Sequence, residues 1–174
     1  MTVLPVTVLP VTVLPVTVPP ARAPLLVVGI GNPSRGDDAL GPLFLEGLAQ
    51  ALPEALASGR VELLSDFQLQ VEHALDIADR ERVIFVDASV VATAPYSYEP
   101  VTAARDPDAG SHWLSPAAVL AVHAEVLGGP APAAWLLAIR GETFELGQPL
   151  SAPATERLAA ALSFLTAMLR ASEP

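Results

Sequence analysis

The sequence of 174 residues contains no cysteine and no lysine, and only three histidines. Without thiols there are no disulfides, no thiolate nucleophile and no thiolate metal site, so any metal must sit on oxygen and nitrogen ligands. Three histidines, His73, His112 and His123, are too few for a histidine-rich zinc centre. The nine basic residues are all arginine and form no cluster, against nineteen Asp and Glu, for a formal net charge of −10. Nucleic acid and anionic membrane are disfavoured as partners, because each needs a positive face to engage phosphate. A basic protein surface remains open as a partner. No run of about 18 apolar residues occurs, so no membrane span is expected. Charged residues make up only 16% and hydrophobic ones 52%, which describes a globular chain long enough to bury one core.

What the chain has in abundance at its start is proline. Residues 2–16 are three copies of TVLPV, followed by a broken fourth. A signal peptide is tempting, but there is no basic n-region, and a proline every fifth residue prevents a helical h-region. Each proline also removes a ladder donor, which rules out a central strand. The expectation is an extended, polyproline-like tail over residues 1–23, dispensable for activity, ahead of a single domain over 24–171.

From Leu25 the pattern changes. LLVVGI, RVIFVDAS and AAWLLAIRG are nearly uninterrupted apolar runs with β-branched residues, which suits strands covered on both faces, and RVELLS adds a short fourth strand. Between them, Leu40, Leu43, Phe44 and Leu48 recur at helical spacing, with Asp37 or Asp38 placed to cap the first turn. LQVEHALDIAD predicts a second helix. LSPAAVLAVHAEVLGG predicts a third, with Ser115 as N-cap, Pro116 at the first position and Gly128 as stop. PATERLAAALSFLTAMLRA closes the chain. Strands alternating with helices predict an α/β fold, a three-layer α/β/α sandwich around a mostly parallel twisted sheet.

In such sheets, sites gather in the loops at the carboxyl ends of strands. Those loops carry Asn32, Asp37 and Asp38; Asp66, Gln68 and Gln70; Asp87 and Ser89; Arg140 and Glu142. His112 stands just before the Ser115 cap. A dinucleotide fingerprint fails here: Gly29 and Gly31 fit, but the sixth position is Ser34, and two aspartates occupy the helix start where phosphates would lie. No G-x-S-x-G elbow occurs, and Ser111 beside His112 is too close in sequence to give a triad its geometry. A cation makes better sense of adjacent carboxylates, since it neutralises charges that otherwise repel. Neighbours at a helix start point in different directions, so one aspartate takes the cap and the other the metal. Plainer readings stand beside these. Asp66 reads also as a turn former, Asp87 as a cap of the turn after its strand, His73 and His123 as satisfied, partly buried helix residues, Trp113 and Phe67 as packing residues, and Glu142 as capping or solvated.

GIGNPSRGDDALGP, then FVDA, then SHWLSPAAVL, together resemble the hydrogenase maturation proteases, and the likeness runs from about Leu25 to Leu169. DFQLQVEHALDIAD is similar to the branch serving soluble, NAD-reducing hydrogenases. After the second strand this chain has SDFQLQ where family members often carry D-G-G-T. The resemblance implies an endopeptidase that trims the C-terminal extension of a [NiFe]-hydrogenase large-subunit precursor. It implies a nickel-recognition triad at Asp38, Asp66 and His112, with Gln68 near enough to assist, and a nickel ion carried by the substrate rather than held by the free enzyme. Asp38 would be the catalytic base in a version where it is not a ligand. The chain is then expected to be cytoplasmic and monomeric. A non-hydrolytic nickel-sensing chaperone and a small nucleotide-binding protein are the rival expectations.

Overall fold

The computed structural model describes residues 22–106 and 113–171. The repeat segment and His112 lie outside the described residues. Strand β1, Leu25–Ile30, is buried at all six positions and runs through the middle of the molecule. A 3-10 turn, Gly36–Ala39, leads into α1, Leu40–Ala51, and a short α2, Pro53–Ala57, follows where Leu52 and Pro53 break the helix. Then come β2, Val61–Asp66; α3, His73–Asp76; β3, Arg82–Ser89; β4, Tyr96–Val101; and α4, Pro116–His123, extended by a π-type turn Ala124–Gly128. The order ends with β5, Ala133–Arg140, and α5, Ala152–Ala171. Among the described residues no helix is long and apolar enough to cross a membrane.

The five strands pair in the order β2-β1-β3-β5-β4, parallel except for β4. Odd positions of β1 (Leu25, Val27) join Phe44, Leu48 and Leu165 in a core under α1 and α5; even positions (Leu26, Val28, Ile30) join Leu69, Ile77, Val119 and Leu120 under α3 and α4. These two apolar layers are the expected three-layer sandwich.

Two local expectations differ. The helix over LQVEHALDIAD shrinks to one turn, because Leu69 is drawn into the core with 2% exposure and Asp79 turns the chain at φ 60°. Strand β4 was not expected: its prolines hide the pattern, yet an edge strand tolerates Pro100, and Tyr96 and Tyr98 pack on Phe164. Arg22 and Ala23, the first described residues, also pack against the body. Arg22 donates to the carbonyls of Leu75, Asp76 and Ala78 at the end of α3, and Ala23 is buried.

Candidate active site at the carboxyl edge of the sheet

β1 has β2 on one side and β3 on the other, so consecutive connections leave it in opposite directions. That reversal is the switch point at which α/β sheets open a crevice beyond the strand ends. The loop after β1 supplies the adjacent pair Asp37 and Asp38, and the two have separate fates.

Asp37 has no exposure at all. Its carboxylate accepts from Glu142 N at 2.8 Å, Thr143 N at 3.1 Å, Ser151 N at 2.8 Å and Ser151 Oγ at 2.9 Å. Burial opposes ionisation, but these four donors outweigh it and hold the pKa below the ordinary carboxylate value. The expectation that one of the pair caps α1 is therefore corrected, since neither aspartate side chain bonds an amide of its own helix. Asp37 instead fastens the β5–α5 loop, and the start of α5, to the β1 loop. The backbone repeats the link: Asp37 N donates to Thr143 O at 2.7 Å, Gly36 N to Gln148 O at 3.0 Å and Gly147 N to Ser34 O at 2.7 Å.

With its neighbour locked inward, Asp38 is left facing the strand ends. Its Oδ2 accepts from Asn32 N at 3.0 Å. The loop can close this tightly because Gly31 has φ +135°, and a Cβ there would stand 1.9 Å from the Asp38 carbonyl oxygen. Gly31→Ala is accordingly expected to displace Asp38 and to destabilise the fold by more than about 2 kcal/mol. A lowered denaturation midpoint together with lost activity would show it.

Asp66 ends β2 directly opposite Ile30. Its carbonyl accepts from Gly31 N at 3.0 Å, so Asp38 and Asp66 both hold the Gly31–Asn32 pair. Its Oδ1 accepts from Phe67 N at 2.6 Å, and its Oδ2 lies 3.5 Å from His73 Nε2. Asp38 and Asp66 thus meet the same Gly31–Asn32 pair, the first through its carboxylate and the second through its backbone carbonyl. The third expected metal residue, His112, lies outside the described residues. Among the described residues no group of three or more His, Asp or Glu side chains is arranged to hold a metal ion.

Asp87 departs from the plain reading it was given. The turn after β3 is capped by Ser89, whose Oγ accepts from Val91 N at 3.2 Å and Ala92 N at 3.1 Å. Asp87 itself follows Val86, the partner of Gly29, and so comes to the β1 end from the other side. Burial, against a backbone bond from Ala88, and the nearby charge of Asp38 push its pKa up to about 7. Strand order decides its importance, and strand order is not written in the local sequence. Since the folded pKa lies above the ordinary 3.8, ionisation destabilises the fold as pH rises between the two values. Asp87→Asn is therefore expected to match wild type in stability below pH 3.8 and to gain roughly 2–4 kcal/mol above neutrality. Urea unfolding at several pH values measures this.

The other plain readings divide. Glu142 is exposed, in keeping with a solvated residue, and also pairs with Arg157 at 2.6 Å. Phe67 and Trp113 are 65% and 61% exposed, too open for packing residues. His73 is buried and partnered as expected, whereas the buried His123 has an Nδ1 with no hydrogen-bond partner among the described residues. Ser115 caps α4 as expected, accepting from Ala118 N at 3.1 Å.

The sequence matches no family model and no curated protein. Solved structures do match. The hydrogenase maturating endopeptidase HybD from E. coli is 27% identical with a TM-score of 0.64, over 85% of this chain and 93% of that one. An endopeptidase from Escherichia coli, solved in solution, is 27% identical with a TM-score of 0.62 over the same shares. The [NiFe] hydrogenase maturation protease HycI from Thermococcus kodakarensis KOD1, at 23% identity, shares the fold with a TM-score of 0.64 over 86% of this chain and 93% of that one.

The chain shares its fold with hydrogenase maturation proteases over most of its length.

The likeness to these endopeptidases supports a peptide-bond hydrolase. Nucleotide binding fits poorly with the carboxyl-edge loops. The Gly31 and Asn32 amides, which would cradle a phosphate, are already occupied by Asp66 and Asp38.

Proposed function

We propose that the protein is the endopeptidase that removes the C-terminal extension of a nickel-loaded [NiFe]-hydrogenase large-subunit precursor, and that it reads the nickel in that precursor. The observation that carries this reading is the pairing of Asp38 and Asp66, from separate strand ends, on the one Gly31–Asn32 pair at the switch point. Carboxylates suit a divalent ion, and His112 completes the set with a nitrogen ligand. Nickel here belongs to the substrate. It supplies positive charge that the acidic loops alone lack, so docking of a nickel-free precursor leaves carboxylates facing one another unneutralised.

The chain's own residues contribute in distinct ways. Asp37 fixes the loop, Asp38 and Asp66 offer oxygens, and Asp87 holds a proton near neutral pH that an arriving cation would expel. In this reading the enzyme works in the cytoplasm as a monomer, and the N-terminal repeat plays no part in cleavage; deleting Met1–Pro19 leaves processing unchanged.

A non-hydrolytic chaperone that only grips the loaded precursor is the rival. Purified protein mixed with nickel-loaded precursor separates the two. The protease reading expects a shortened large subunit and a released peptide, whereas the chaperone reading expects a stable complex with the precursor intact.

A further inference from the structure

We propose that His73 is a positioning residue for Asp66: buried beneath the site, it holds the Asp66 carboxylate in place through its Nε2–H. The functional part of this inference rests on the reading that Asp66 meets the metal of the substrate. Helix α3 is a single turn, too short to be stable by itself, and its first residue is an imidazole with 5% exposure. A polar ring buried there costs free energy unless both nitrogens are satisfied. Gln70 N lies 3.0 Å from His73 Nδ1 and donates to it, which leaves Nδ1 bare and puts the proton of the neutral ring on Nε2. The opposite tautomer would direct Nδ1–H at Gln70 O, 3.3 Å away, and turn a bare Nε2 lone pair toward a carboxylate. Because Asp66 Oδ2 lies 3.5 Å from Nε2, the first arrangement is the attractive one.

The carboxylate is thereby held at both oxygens, Oδ1 by Phe67 N–H and Oδ2 by His73. Its side chain remains 41% exposed while that of His73 is 7% exposed, so Asp66 faces the partner and His73 does not. His73 acts only through Asp66. Outer partners of this kind fix the geometry of a ligand, and their loss costs about 10- to 100-fold in affinity or activity.

Two measurements on the full chain test this. Nitrogen NMR of the histidines should show His73 protonated on Nε2 and bare on Nδ1, with the Nε2 resonance moving in Asp66→Asn. A proton on Nδ1, or a resonance indifferent to Asp66→Asn, overturns the proposal. His73→Phe, which keeps the ring-sized filling but has no donor, should lower kcat/KM for the nickel-loaded precursor about 10- to 100-fold. A folded His73→Phe that processes at the wild-type rate also overturns it. Should that variant fail to fold, the NMR result on wild type and Asp66→Asn decides alone. Should wild type not cleave the precursor, the functional reading fails while the NMR result still decides whether His73 holds Asp66.

Discussion

Asp37→Ala is expected to destabilise the protein by about 4 kcal/mol, enough to unfold a marginal domain. The change removes one carboxylate and strands the Glu142, Thr143 and Ser151 amides and the Ser151 hydroxyl around a residue with no exposure. Each buried donor left without an acceptor costs about 1–3 kcal/mol, reduced where water can enter. Urea denaturation would register it as a lower midpoint. Asp37→Asn keeps one acceptor oxygen and should fall between wild type and alanine. The direction with pH follows from the lowered folded pKa. Asp37's contribution is fully present above the ordinary 3.8 and is lost as pH falls through the folded value, so the alanine penalty shrinks in acid. A penalty that stayed constant down to the lowest pH would mean that the charge of Asp37 does not stabilise the loop.

The adjacent residue should behave in the opposite way. Asp38→Asn is expected to abolish processing, a loss of at least about 100-fold, while stability changes by about 0.5 kcal/mol or less. The amide oxygen of asparagine still accepts from Asn32 N, so the loop keeps its shape. What disappears is a negative charge, which under the proposed function meets the substrate's cation. Two neighbouring carboxylates, one expected to govern folding and one function, is the outcome to look for in paired unfolding and cleavage assays. Substantial processing by Asp38→Asn would remove it from the site.

The strands and the capping of α4 were legible because they depend on local pattern. LLVVGI, RVELLS, RVIFVDAS and AAWLLAIRG reappear as β1, β2, β3 and β5 with boundaries shifted by a residue or so. Strand β4 was hidden, because Pro95 and Pro100 signal a loop unless the strand is known to lie at an edge. The site was legible as a set of residue types and less so as a set of roles. Nothing local distinguishes Asp37 from Asp38; the distinction arises where the β5–α5 loop, more than a hundred residues away, folds over one of them. Asp87 was undervalued for a related reason. A carboxylate after a strand is commonly a cap, and only the order β2-β1-β3 brings it beside Asp38. His73 looked like an ordinary helix residue until α3 placed its ring 3.5 Å from Asp66.

The central claim is that carboxylates from separate strand ends recognise a divalent ion carried by the substrate. Cleavage of one large-subunit precursor, prepared with and without nickel and mixed with the same wild-type protein, tests it most directly. The account predicts a shortened subunit from the nickel-loaded precursor and none from the nickel-free one. Equal cleavage of both would contradict it.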